Sequence, residues 1–139
     1  MITPLYAELN RWRITPWEWG CMDCVLSLAD WCVAQGWADP MEDVRMTYHD
    51  RSSCQRETGF LRDPLGITSR CFEDVACLPP VGEAAPGDIA ILSFGPYQHF
   101  GAIWTGKNGW ASKDEGGVTF YDARLVPQVL RIWGVGYAP

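Results

Sequence analysis

A chain of 139 residues that is 47% apolar and 20% charged makes one globular domain, residues 1–139, able to bury a core without covalent staples. Its net charge of −6, with no basic stripe, excludes a nucleic-acid backbone as the main partner. The first ten residues carry no basic leader and no long apolar run, and no later stretch is apolar enough to cross a bilayer. Neither a signal peptide nor membrane insertion is therefore expected, and synthesis in a cytoplasm keeps the six cysteines reduced.

Thr3-Pro4 opens the first helix with a capping hydroxyl and a proline at the first helical position. Leu5, Leu9 and Trp12 recur at helical spacing, so one face packs on the domain. Residues 14–20 form an irregular connection that ends at Gly20. A second helix is predicted over residues 23–35, with Asp23 as its N-cap and Val25, Leu28, Ala29, Cys32 and Val33 as its apolar stripe. Gly36 stands where a C-terminal stop belongs. Residues 37–63 are polar and broken. Within them, 44–48 and 52–60 read as turns or short helices, the second ending at Gly59. Residues 67–75 read as a further short helix capped by Thr68 or Ser69.

Residues 78–87, rich in Pro and Gly, form a loop. The period then changes from helix to strand. Strands are predicted over 88–93, 98–104, 110–113, 118–121 and 129–135, with Asn108-Gly109 and Gly116-Gly117 as turns. Helices followed by an antiparallel meander give an α+β fold, with the N-terminal helices packed on one face of a C-terminal sheet.

Cys24 falls in the first turn of the second helix, where unpaired amide N–H groups and the helix dipole favour a thiolate. This makes it the candidate nucleophile. Such a cysteine needs a base within reach. Of the two histidines, His49 lies in the polar middle and reads as a solvated loop residue, whereas His99 begins a strand and is followed closely by Gly101. A helix-borne Cys facing a strand-borne His is one arrangement that activates a thiol. Asp23, next to Cys24, reads as a cap, because its charge opposes a thiolate. Cys32, Cys54, Cys71 and Cys77 read as small buried hydrophobes or incidental surface thiols.

Cys21-Met22-Asp23-Cys24 also allows a thioredoxin-like redox motif, but those folds place a strand before the motif and βαβ units around it. A metal site on Cys21, Cys24, Cys71 and Cys77 is disfavoured because the second pair is spaced too widely for a zinc knuckle. No cofactor or metal is expected.

Three blocks carry a family resemblance. Thr15-Pro16-Trp17-Glu18-Trp19-Gly20 with Asp23-Cys24 resembles the entry motif of the NlpC-type cell-wall peptidases, which have a papain-like fold. Pro86-Gly87-Asp88 resembles their Pro-Gly-Asp-Leu, and His99-Phe100-Gly101-Ala102-Ile103 their His-Val-Gly-Ile. The blocks keep family order over roughly residues 3–135. An uncharacterised NlpC-like family of tailed phages and prophages is more similar still, ending on a Trp-containing strand as Arg131-Ile132-Trp133 does here.

The resemblance implies a papain-like thiol hydrolase that cleaves peptide bonds in the stem peptides of bacterial peptidoglycan. Cys24 is then the nucleophile, and His99 the base and later the acid. The backbone N–H of Cys24, with the indole N–H of Trp17 in place of the family's Tyr, serves the oxyanion and substrate. Val25-Leu26 replaces the family's Ser-Gly. At the third catalytic position the nearest polar residue is Ser112. The implied setting is a phage tail tip, reached after synthesis in the host cytoplasm, with hub or baseplate proteins as partners. The alternative is a structural tail-tip component that keeps the fold without turnover.

Overall fold

The computed structural model describes residues 2–138. Helix α1 (Pro4–Ile14) starts as its sequence dictates: extended Thr3 accepts the Tyr6 N–H on its hydroxyl at 3.3 Å, and Pro4 fills the first position. Leu5, Leu9 and Trp12 are buried. Helix α2 (Leu26–Ala34) is the hub, with Leu26, Leu28, Ala29, Trp31 and Cys32 in the core. Val33, expected in the apolar stripe, is instead 46% exposed. Trp31 is the residue buried nearby, and its indole N–H donates to the Gly87 carbonyl at 2.8 Å.

The broken middle resolves into turns over residues 40–46 and helix α3 (Arg51–Thr58). Its N-cap is Asp50, in a reciprocal capping box with Ser53, and Gly59 closes it at φ 71°. Helix α4 (Pro64–Ser69) begins three residues earlier than periodicity suggests. Asp63 caps it by accepting the Gly66 N–H at 3.1 Å, and Pro64 follows at the first position, so Thr68 and Ser69 lie inside the helix. It runs on into a π-helical turn, Arg70–Val75.

The described residues form six strands, β1 (Pro80–Val81), β2 (Ile89–Ser93), β3 (His99–Trp104), β4 (Trp110–Asp114), β5 (Gly117–Tyr121) and β6 (Gln128–Trp133), all antiparallel. Their order is β1-β6-β2-β3-β4-β5. Strands β2 to β5 form the expected meander, but the last strand leaves it. It returns past the sheet and pairs with β2, so the fold is not a meander to its end. The sheet also curls. The rings of Phe94 and Tyr121 meet at 5.2 Å, although β2 and β5 stand three strand positions apart, roughly 14 Å if flat.

The two faces differ. Ile89, Ile91, Ile103, Ala111 and Trp133 meet the helices, while Ala90, Leu92, Ala102 and Trp110 pack under a separate aromatic layer that includes Phe94, Trp104 and Tyr121. The Pro86-Gly87-Asp88 turn ties the sheet to α2 through Trp31. Buried Asp88 accepts the N–H groups of Ala85 and Val135 at 2.9 and 3.0 Å.

Candidate functional site

The turn before α2 is held by one buried carboxylate. Asp23 accepts the N–H groups of Val25 and Leu26 on one oxygen, at 3.1 and 2.9 Å, and that of Gly20 on the other, at 3.2 Å. The Tyr48 hydroxyl also donates to it, at 2.5 Å. The helix starts later than the expected residue 23: α2 begins at Leu26, with Val25 at its N-cap position. Asp23 thus holds the entry turn from two residues before the cap, its carbonyl accepting the Ser27 N–H at 3.0 Å, and Cys24 lies in that turn. Gly20 sits at φ 79°, and a Cβ there would stand 2.1 Å from the Tyr48 carbonyl oxygen, so both conformation and space demand glycine. The entry segment is pinned from below. Lys113, almost wholly buried, donates its ammonium to the carbonyls of Trp12, at 2.6 Å, and of Thr15, at the negative end of α1.

Helix α2 then presses on β3 at Gly101. A Cβ at this residue would lie 2.5 Å from the Cys24 carbonyl oxygen and 2.8 Å from Leu28, so only glycine lets the helix mouth approach the strand. His99 is two residues back along β3, hence on the same face as Gly101 and about 7 Å away along the strand. Cys24 and His99 thus line one cleft, with Trp17, Trp19, Tyr48 and Ile67 among its walls. The cavity, about 90 Å³, has room for one small side chain. Trp17 and Trp19 meet edge to face at 5.3 Å, and Trp19 packs on Tyr48 at 6.5 Å.

The electrostatics correct one expectation. The helix start does not yield a thiolate. Cys24 is 9% exposed, and burial, with the Asp23 charge second, pushes its thiol up to about 12. The N–H groups of Gly101 and of Cys24 itself oppose this only in part. Burial lowers His99 below the 6.5 of free imidazole. Burial and the nearby Asp23 also raise Tyr48. At neutral pH both members of the pair are uncharged, and no hydrogen bond joins them among the described residues.

Ser112 does not orient His99. Strand alternation puts it on the opposite face, with Trp110 and Ala102, where its hydroxyl donates to the Gly101 carbonyl at 2.7 Å. The Nδ1 of His99 and the Nε1 of Trp17 are the two buried side-chain nitrogens in the described residues without a hydrogen-bond partner, and both belong to cleft residues.

Sequence reasoning missed the far wall of the cleft, built by Met41, Tyr48, Arg51, Cys54, Phe60 and Leu61. These residues have no common period. The one legible signal was the cap pair Asp50 and Ser53 with Gly59, which brackets α3. His49 is a solvated loop residue, its side chain 81% exposed beside Asp50. All six cysteines are free. Cys32, Cys54 and Cys71 are buried, Cys77 is exposed, and the Cys21 thiol contacts the Met46 sulfur rather than Cys24.

The chain belongs to a family described as a domain of unknown function (DUF6950), matched over residues 3–135. No curated protein matches it.

Proposed function

We propose that this member of the family is a thiol hydrolase of papain-like, NlpC-type architecture. Its substrate class is the amide bond of bacterial cell-wall stem peptides, and its setting is a phage tail tip. The observation that carries the reading is a cysteine at a helix mouth sharing one cleft with a histidine and with Trp17, whose buried indole nitrogen has no partner. Each buried polar atom left without a partner costs about 1–3 kcal/mol, and such costs collect where a ligand supplies the missing bond. An amide carbonyl entering beside Cys24 accepts from the Trp17 indole N–H. The backbone N–H of Cys24 supplies a second donor for the oxyanion.

The resting pair is neutral, so the thiol is deprotonated as it attacks rather than beforehand. His99, lowered by burial, is free base at neutral pH. It takes the thiol proton as the S–C bond forms, then returns it to the leaving amine. Water then hydrolyses the thioester, with His99 again as base.

A second reading rests on its own observation. A thiol raised to about 12, 9% exposed and not hydrogen-bonded to the imidazole is what a retained fold without turnover presents, as a structural tail-tip component. Digestion of purified sacculi separates the two. The hydrolase releases peptide amines, and Cys24→Ala and His99→Ala each abolish release. Sacculi left intact by the wild-type chain, under conditions where a known lysin works, leave the structural reading.

A further inference from the structure

We propose that Ser93 is the positioning residue for His99: its hydroxyl holds the imidazole through Nδ1 and leaves Nε2 open to the cleft as the base. The inference rests on His99 being that base. Its first support is register. Ser93 of β2 stands directly opposite His99 of β3. The Phe94 N–H donates to the Gln98 carbonyl at 2.9 Å, which makes Ser93 and His99 a non-hydrogen-bonded pair. In such pairs the facing side chains are closest, with Cα atoms about 4.5 Å apart. Both residues belong to the face that meets the helix mouth, since Ile91 and Gly101 are the next pair on that face.

The second support is supply and demand. Nδ1 of His99 is buried and lacks a partner. The Ser93 residue is 7% exposed, and its hydroxyl has only long contacts, 3.5 Å to the Gly95 carbonyl and 3.4 Å from the Gly95 N–H. These are at the edge of useful bonding. A hydroxyl both accepts and donates. It can accept from Nδ1–H while still donating to the Gly95 carbonyl, so the Phe94–Gln98 turn anchors the ring through one oxygen. That fixes the tautomer in which Nε2 carries the lone pair. Ser112, on the strand after His99, is on the wrong face for this task and already spent on Gly101.

With two histidines in the chain, imidazole ¹⁵N spectra have one site of interest, and exposed His49 is the internal reference. Above the His99 titration, wild-type protein shows Nδ1 protonated and Nε2 bare at His99. Ser93→Ala loses that tautomer bias, leaves His49 unchanged, and slows acylation of Cys24 by p-nitrophenyl acetate about ten- to a hundredfold. Ser93→Thr, which keeps the hydroxyl, restores both. A His99 ring protonated at Nε2 in the wild type, or a tautomer indifferent to Ser93→Ala, overturns the inference. The tautomer is read without turnover. A wild-type ring protonated at Nδ1 with no acylation of Cys24 therefore supports the positioning and sinks the hydrolase.

Discussion

The two faces of the curled sheet carry different work, and strand parity divides it. On β3, His99, Gly101 and Ile103 turn to the helices, whereas Phe100, Ala102 and Trp104 turn away. The helix-side face is built for close approach, with glycine where α2 touches the strand and unpartnered polar atoms beside it. The outer face is built for fill. Phe94 packs on Phe100 and Tyr121 at 5.8 and 5.2 Å, and Trp104 on Trp110 at 5.0 Å. A residue's chemistry in this domain thus depends first on which side of the pleat it occupies. Ser93 and Ser112 are the same residue type on neighbouring strands of β3, with opposite roles.

The sharpest way to break that division is at Gly101. Gly101→Val drives a branched side chain into the Cys24 carbonyl and Leu28, and destabilises the domain by about 3 kcal/mol in urea titration. On the outer face, Ala102→Gly creates no clash and costs about 1 kcal/mol. Equal costs would mean that the helix does not press on the strand.

Asp23→Asn is next. Its single acceptor oxygen replaces two that serve three N–H groups and the Tyr48 hydroxyl, so stability falls by about 2 kcal/mol. The variant also removes the second cause of the raised Cys24 thiol, so alkylation of Cys24 sets in at lower pH than in the wild type. The linked stability has a definite sign. An unfolded thiol ionises near 9.0 and the folded one near 12. This contribution is fully present below pH 9 and is lost as pH rises toward 12. Asp23→Asn narrows that window.

The smallest effect is at Ser112. Ser112→Ala removes one buried hydrogen bond on the outer face, costs about 1 kcal/mol, and leaves Cys24 acylation unchanged. A loss of acylation matching that of Ser93→Ala would erase the distinction between the faces.

Much of the scaffold was legible because local chemistry and global fold agree there. The Thr3-Pro4 start and the Gly36 and Gly59 stops stand where cap chemistry puts them, and Asp23 bonds the entry amides although the helix itself begins at Leu26. Strands β2 to β5 alternate or run apolar between turn residues, and their order follows the chain. The return of β6 to β2 was not legible, since no local pattern in a strand selects its pairing partner. Cys24 and His99 could be named because residue type narrows the choice, with two histidines and one cysteine at a cap. The thiol's upward shift could not be read, because it comes from burial under a wall, residues 41–61, with no period of its own. Ser112 was misplaced by counting along the chain without the face on which each residue lands.

The central claim is that a neutral thiol is made a nucleophile by His99 during attack. The pH profile of Cys24 acylation by p-nitrophenyl acetate, read as the burst of nitrophenolate, tests it most directly. The account predicts one burst equivalent, absent in Cys24→Ala. Its rate climbs through a midpoint below 6.5, as His99 loses its proton, and is then flat through pH 9. A rate that instead keeps rising toward pH 12 with thiol ionisation, and is unmoved by His99→Ala, would contradict it.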